Sequence, residues 1–104
     1  MVDRVLSMLG IAAKSGKVVS GEFSTEKAIK TGKAYLAIVS VEASDNTKKM
    51  FENMTDFYEV PLYYYGTKEE LGRAIGKEFR ASVAVCDESL ADAVEKKLQL
   101  SKTE

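Results

Sequence analysis

The chain has 104 residues, of which 45% are hydrophobic and 30% charged, with a formal net charge of −1. This composition is typical of one soluble globular domain, and the near-neutral charge argues against a protein that coats nucleic acid indiscriminately. The sequence has no histidine, the commonest general base and transition-metal ligand, and its single cysteine, Cys86, has no partner for an internal disulfide. We therefore expect no metal, no cofactor and no enzymatic activity.

The two ends of the chain bear on location and domain limits. Asp3 and Arg4 interrupt the start, which does not read as a secretory signal, and no apolar run reaches the roughly 20 residues that cross a bilayer. We expect a cytoplasmic protein without membrane contact. One domain is predicted over residues 1–100, with a frayed polar tail over residues 101–104. Nothing in the sequence requires a dimer, so a monomer is expected.

The first third of the chain predicts two helices separated by a short strand. Apolar residues recur at three- and four-residue spacing over residues 5–13, which indicates an amphipathic helix that residues 15–16, Ser-Gly, end. Residues 17–20 favour a short strand. Gly21 then opens a second helix, and the glycine of residues 31–32 ends it.

The middle of the chain predicts a buried strand, a helix and a second strand. Residues 34–41 are an almost unbroken apolar run, which is typical of a central strand covered on both faces. Ser44 or Asp45 is suited to cap the next helix. Its predicted apolar stripe consists of Met50, Phe51, Met54, and Phe57 or Tyr58. After Pro61, residues 62–65 predict the next strand.

The last third predicts two more helices around a short buried strand. Thr67 and Glu70 have the spacing of a capping box. Residues 82–86 are short, small and apolar, and Asp87 or Ser89 begins the final helix. Helices that alternate with short apolar strands predict a three-layer α/β/α sandwich.

The segment most suggestive of function covers residues 14–33, which contain five lysines and two glutamates. A glycine at a helix start lets a phosphate backbone approach free N–H groups, and Phe23 lies on the same helix face as Lys27 and Lys30. These features predict binding to a polyanion. The alternative is that Phe23 packs against the first helix while the lysines only complement the C-terminal end of their own helix.

The order and spacing of several short motifs resemble the kink-turn-binding ribosomal protein family of L-seven-Ae and L-thirty-e. The opening residues 10–17, Gly-Ile-Ala-Ala-Lys-Ser-Gly-Lys, resemble its bacterial YlxQ-type branch, and the resemblance covers residues 4–98. The motifs that carry it are, in chain order, Gly21, Lys27, Ala28, Ile29, Lys30, Gly32, Val60, Pro61, Leu71, Gly72, Ala74 and Gly76.

The resemblance implies a mixed four-stranded sheet and a grip on a kinked RNA. In that family the start of the second helix enters the RNA groove, and a loop before the last buried strand covers a flipped-out base. Together with the lysines of the basic segment, the predicted RNA-binding residues are Lys17, Gly21, Glu22, Phe23, Ser24, Lys27, Lys30, Lys33, Phe79, Arg80, Ala81 and Ser82.

Phe23 and Ser24 depart from the family pattern, in which Asn and Glu at these places contact guanines. Phenylalanine cannot hydrogen-bond a base edge, and serine is shorter than a carboxylate. The prediction is therefore an RNA-binding accessory of the translation machinery that recognises a kinked or otherwise structured RNA. The alternative is a protein-interaction module that has lost kink-turn binding and contacts ribosome or translation-factor proteins. A more distant alternative is an enzyme that acts on a phosphorylated metabolite.

Overall fold

A computed structural model describes residues 3–102 of the chain, and the side chain of residue 102 is not described. In chain order the elements are α1 (Arg4–Lys14), β1 (Val18–Ser20), α2 (Glu22–Lys30), β2 (Leu36–Val39), α3 (Asp45–Tyr58), β3 (Leu62–Tyr64), α4 (Lys68–Ala74), β4 (Ser82–Val85) and α5 (Glu88–Lys102). The strands form one sheet in the order β1-β4-β2-β3. Strand β4 is antiparallel to β1 and β2, and β2 is parallel to β3, which confirms the predicted mixed four-stranded sheet.

Both faces of the sheet carry a hydrophobic core. All residues of β2 and β4 are buried, which explains why these segments are continuous apolar runs rather than alternating ones. On one face, Leu36, Ile38, Val83 and Val85 pack against α1, α4 and α5. On the other face, Ala37, Val39 and Ala84 pack against α2 and α3. The three-layer α/β/α arrangement is thus confirmed.

Polar side chains cap four of the helices, and α2 differs from them. Asp3, Ser44 and Asp87 accept hydrogen bonds from backbone N–H groups in the first turns of α1, α3 and α5. Thr67 and Glu70 form the predicted capping box of α4. The N-cap of α2 is Gly21, which supplies no side-chain hydrogen bond. The first N–H groups of α2 are therefore left for another partner.

The three tyrosines of residues 63–65 alternate between the two helical layers. Tyr65 donates its hydroxyl to Asp3 Oδ2 over 2.7 Å, and Tyr63 donates to Glu95 Oε2 over 3.0 Å. Tyr64 points to the other layer and donates to Glu52. Burial, together with this carboxylate, raises the pKa of Tyr64 to about 12.

The structure corrects three details of the sequence interpretation. Strand β2 stops at Val39, because the chain then turns at Ser40, whose carbonyl accepts from the Ala43 N–H over 3.1 Å. The inner stripe of α3 is completed by Thr55, so Phe57 falls beside it and is 78% exposed. Helix α5 continues into the predicted polar tail, since Ser101 Oγ donates to Leu98 O over 2.7 Å. Residues 103–104 lie outside the described residues.

Candidate nucleic-acid interface

The start of α2 is open to an approaching ligand. Gly21 has φ 89° and ψ 158°, a backbone conformation that side chains rarely adopt. A Cβ placed on Gly21 would meet no other atom within 4 Å, so the backbone faces open space. Since a helix N-terminus offers unpaired N–H groups and the positive end of the helix dipole, this position suits an anion such as phosphate.

The loop before β4 is joined directly to the start of α2. The Gly21 N–H donates to Ser82 O over 3.0 Å. Arg80 donates its Nε–H to Ser20 Oγ over 3.0 Å and Nη1 to Phe79 O over 2.7 Å. These bonds hold the guanidinium at the edge where α2 begins. The other N–H groups of Arg80 take no part in these two bonds.

Helix α4 supports the same loop through Gly72. A Cβ on Gly72 would lie 2.3 Å from Glu78 O and 2.9 Å from Phe79 N, which is far too close for any side chain. The Lys77 N–H donates to Gly72 O over 2.7 Å. The loop therefore rests on the backbone of α4. Residues 77–80 line a shallow, open depression of the surface beside this loop.

Two phenylalanines expose their rings at this edge. Phe23 is 75% exposed and Phe79 is 60% exposed. The alternative that Phe23 packs against the first helix is therefore wrong. Ala81 is half-buried against the α2–α3 core, and the side chain of Ser82 is fully buried in β4. Ser82 contributes its carbonyl to the position of Gly21 and presents no hydroxyl to solvent.

The predicted lysines do not form one cluster. Lys27 is exposed in the middle of α2, while Lys30 pairs with Glu26 over 3.2 Å. Lys17 lies beside Cys86 at the opposite end of the sheet, since the Cys86 N–H donates to Lys17 O over 2.7 Å. Burial raises the pKa of the Cys86 thiol, and the charge of Lys33 lowers it by a smaller amount.

The length of α2 accounts for this separation. Its nine residues span about 13 Å. Lys33 is thus remote from Gly21, and Lys17 is remote because β1 separates the two. The predicted RNA-binding set therefore divides into an edge group and a distant lysine pair. The edge group consists of Gly21, Glu22, Phe23, Ser24, Phe79, Arg80, Ala81 and Ser82, with Lys27 and Lys30 between the two groups.

The sequence interpretation missed residues that follow β2 and β3. Val41 is exposed, and its N–H donates to Gly66 O over 3.0 Å. Glu42 Oε1 accepts from the Lys68 N–H over 2.9 Å, and Lys68 O accepts from the Arg80 N–H over 3.0 Å. The carboxyl ends of parallel strands share one edge of a sheet, where α/β proteins bind ligands. That rule could have indicated Val41 and Glu42 from the sequence.

A family model described as the Ribosomal protein L7Ae/L30e/S12e/Gadd45 family matches residues 3–96. The RNA-binding protein YlxQ of Bacillus subtilis is 40% identical over 85 residues, which cover 82% of this chain and 85% of that relative. The large ribosomal subunit protein eL30 of Neurospora crassa is 40% identical over 86 residues, which cover 81% of this chain and 79% of that one. The chain belongs to this family, and its resemblance to the YlxQ-type branch is confirmed.

Solved structures show the same fold. A Bacillus halodurans protein of unknown function superposes with a TM-score of 0.91 at 32% identity, covering 94% of this chain and 99% of that one. The 15.5kD RNA binding protein of Giardia lamblia has a TM-score of 0.80, covering 96% of this chain and 86% of that one, at 20% identity, and it shows the fold alone.

The comparisons also bear on enzymatic activity. The curated relatives are named as RNA-binding and ribosomal proteins, which confirms the expectation that the chain is not an enzyme. Among residues 3–102, no group of three or more histidine, cysteine or acidic side chains is placed to hold a metal ion. Within the same residues, no helix has the length and apolar character of a membrane span.

Proposed function

We propose that this chain is an RNA-binding accessory protein of the translation machinery. It recognises a kinked or otherwise structured RNA through the start of α2 and the loop of residues 79–82. The observation that carries this proposal is the uncapped N-terminus at Gly21, joined by hydrogen bonds to a loop that exposes Phe79 and holds Arg80. The names of the relatives support RNA as the ligand class and translation as the setting.

Each part of this edge has a distinct task in the proposed complex. The N–H groups after Gly21 bind a phosphate, and Lys27 adds charge on the side of α2 that carries Phe23. The rings of Phe23 and Phe79 stack on unpaired bases, which RNA offers at kinks, bulges and loops. Stacking is tolerant of base identity, so it replaces the guanine-specific contacts that Phe23 and Ser24 cannot make.

Arg80 supplies a specific contact to this otherwise tolerant surface. A guanidinium stacks on bases and pairs with phosphate, and its fixed fork recognises planar acceptors. Because Ser20 and the Phe79 carbonyl already orient the side chain, little of its conformational freedom is lost on binding. We place the protein in the cytoplasm as a monomer, with residues 1–100 acting as one domain.

The first test is a titration of the full chain with a kink-turn RNA and with a straight duplex of equal length, at two salt concentrations. We expect a preference for the kinked RNA. About three to five phosphate contacts predict a log–log salt slope of about −2 to −4. Equal, weak binding to both RNAs would instead favour the protein-interaction module, because Phe23 and Ser24 replace the family's guanine-contacting pair.

The second test uses two equally exposed phenylalanines. Phe23→Ala should weaken RNA binding by about 1–3 kcal/mol if the ring stacks on a base. The matched control is Phe57→Ala, because Phe57 is exposed to the same extent at the far end of α3. Its RNA affinity should stay unchanged. Equal affinities of the two variants and the parent for RNA would show that Phe23 does not take part.

A further inference from the structure

The C-terminal end of α3 exposes two aromatic rings. Phe57 is 78% exposed and Tyr58 is 41% exposed. The two rings meet edge to face, with centroids 4.9 Å apart and an interplanar angle of 77°. Large exposed aromatic side chains at adjacent positions are typical of a surface that another molecule covers.

The stretch of sequence that carries these rings has charge of one sign. Residues 50–67 contain three carboxylates, Glu52, Asp56 and Glu59, and no lysine or arginine. The last turn of α3 likewise holds no basic residue. The C-terminal end of a helix is the negative end of its dipole, so Asp56 and Glu59 add negative charge where a cation would stabilise the helix. The arrangement is unfavourable to α3 itself and favourable to an incoming cation.

The backbone at this end is also strained. Glu59 caps α3 with φ 57° and ψ 46°, the left-handed conformation that usually requires glycine. A non-glycine residue in this region costs about 1–2 kcal/mol. A glutamate thus occupies a position where glycine would fold more easily, and it leaves an exposed carboxylate at the end of α3.

The two rings lie away from the candidate RNA-binding edge. The Ala37 N–H donates to Pro61 O over 2.9 Å, so the chain that follows α3 enters the sheet at the amino ends of β2 and β3. Gly21 and the residue 79–82 loop lie at the carboxyl end of β2, where Val39 pairs with Ser82. A partner on the α3 end and an RNA on the α2 start would occupy opposite ends of the sheet.

We propose that Asp56, Phe57, Tyr58 and Glu59 form a docking surface for an arginine-rich segment of a partner protein. Guanidinium groups stack on the faces of aromatic rings and pair with carboxylates in the same contact. The negative helix end attracts them as well. Complementarity of charge thus selects a basic protein segment rather than a nucleic acid, which these carboxylates would repel.

The test follows binding of two peptides to the full chain, an oligoarginine and an oligolysine of equal length, by amide chemical-shift titration. We expect the oligoarginine to bind more tightly, because ring stacking favours guanidinium over ammonium. The largest shift changes should fall on residues 56–59. Equal binding of both peptides, or shift changes that centre on other acidic positions, would overturn the proposal.

Variants separate this surface from the RNA-binding edge. Phe57→Ala should weaken oligoarginine binding by about two- to fivefold, the effect of one exposed cation–π contact. Phe23→Ala is the matched control and should leave peptide affinity unchanged. An equal loss in both variants would overturn the proposal. This result is independent of whether the chain binds RNA, so failure of the proposed function is distinguishable.

A charge reversal excludes a purely structural role for the surface. Asp56→Lys places a cation at the negative end of α3 and should raise the melting temperature while it weakens peptide binding. Tighter peptide binding by this variant would refute the proposed contact. Self-association that Phe57→Ala abolishes would identify a second copy as the occupant, and RNA contacts at residues 56–59 would assign the surface to RNA; either result overturns the proposal.

Discussion

Phe23 in the first turn of α2 and Phe57 in the last turn of α3 are equally exposed, yet they lie on opposite electrostatic backgrounds. Around Phe23, α2 has Glu22 in its first turn and Lys27 and Lys30 in its last, which is the order of charge that stabilises a helix. The last turn of α3 has an acidic residue and no basic one, so its charge does not complement the negative end of the helix dipole.

This difference shows that a charge pattern alone does not identify a binding site. The lysines of α2 have a sufficient explanation in the stability of their own helix, so their number alone does not establish an RNA site. The geometry at Gly21 and the loop of residues 79–82 carries that inference instead. Asp56 and Glu59 receive no such explanation from α3, and the docking proposal depends on the two exposed rings that lie beside them.

The largest effect is expected from a substitution that disrupts the contact between α4 and the loop of residues 77–80, beside the start of α2. Gly72→Ala puts a methyl group 2.3 Å from Glu78 O and must push the 77–80 loop away from α4. We expect a loss of about 1–3 kcal/mol in the free energy of unfolding and weaker RNA binding, with peptide binding at α3 retained.

Gly10→Ala is the matched control for Gly72→Ala, because its Cβ would lie 3.0 Å from Ala74 O and requires a smaller displacement than the 2.3 Å contact at Gly72. Urea unfolding and RNA titration of both variants make the measurement. Similar effects at Gly72 and Gly10 would show that the loop does not depend on this contact.

A smaller effect on RNA affinity is expected from a substitution that frees Arg80 in the loop of residues 79–82. Ser20→Ala removes the acceptor of the Arg80 Nε–H bond and leaves the guanidinium less ordered. We expect RNA affinity to fall by about 1 kcal/mol, a typical value for one hydrogen bond. A double-mutant cycle with Arg80→Ala makes the measurement, and full additivity of the two losses would show that Ser20 does not act through Arg80.

At the C-terminal end of α3, relief of the backbone strain at Glu59 should stabilise the protein. Glu59→Gly removes the left-handed penalty at the end of α3, and we expect a gain of about 1 kcal/mol in the free energy of unfolding. Thr31→Gly is the control, because Thr31 caps α2 with φ −95° and has no such strain to lose. Loss of stability in the Glu59 variant would contradict the interpretation of this cap.

The smallest effect concerns alkaline pH near the same helix. The pKa of Tyr64 is raised from 10.0 to about 12 by burial and by Glu52, so the folded protein favours the neutral phenol. This contribution to stability is complete below pH 10 and is lost as the pH rises towards 12. Phenolate absorbance measured against pH should lose its late component in Tyr64→Phe, whereas an unchanged curve would assign that component to another tyrosine.

The sequence was sufficient for the layers of the fold, because its signals are local. Continuous apolar runs marked β2 and β4 as covered strands, and capping spacing marked α3 and α4. The candidate site was less predictable because it depends on contacts between distant residues. The Arg80–Ser20 bond spans 60 positions, and Gly72 matters only through its approach to Glu78.

The remaining errors of the sequence interpretation concern where residues lie along and around α2 and α3. The five lysines of residues 14–33 suggested one polyanion-binding surface, but the length of α2 separates Lys33 from Gly21. Phe57 or Tyr58 was predicted to complete the inner stripe of α3, but both are exposed, and Thr55 lies there with its hydroxyl donating to Phe51 O over 2.7 Å. A threonine that satisfies its own polar group can replace an aromatic residue in a core.

The tyrosines of the β3 region have a consequence for the protein at high concentration. Strand β3 is three residues long, follows Pro61 and forms one margin of the sheet, where unpaired backbone groups invite a strand from another molecule. Phenol groups on both sides fasten this margin to α1, α3 and α5 through Asp3, Glu52 and Glu95. Detachment of the margin would expose the apolar strand β2 as a new edge, and it requires that contacts with both helical layers break at once. The tyrosines therefore protect the molecule against aggregation through β2.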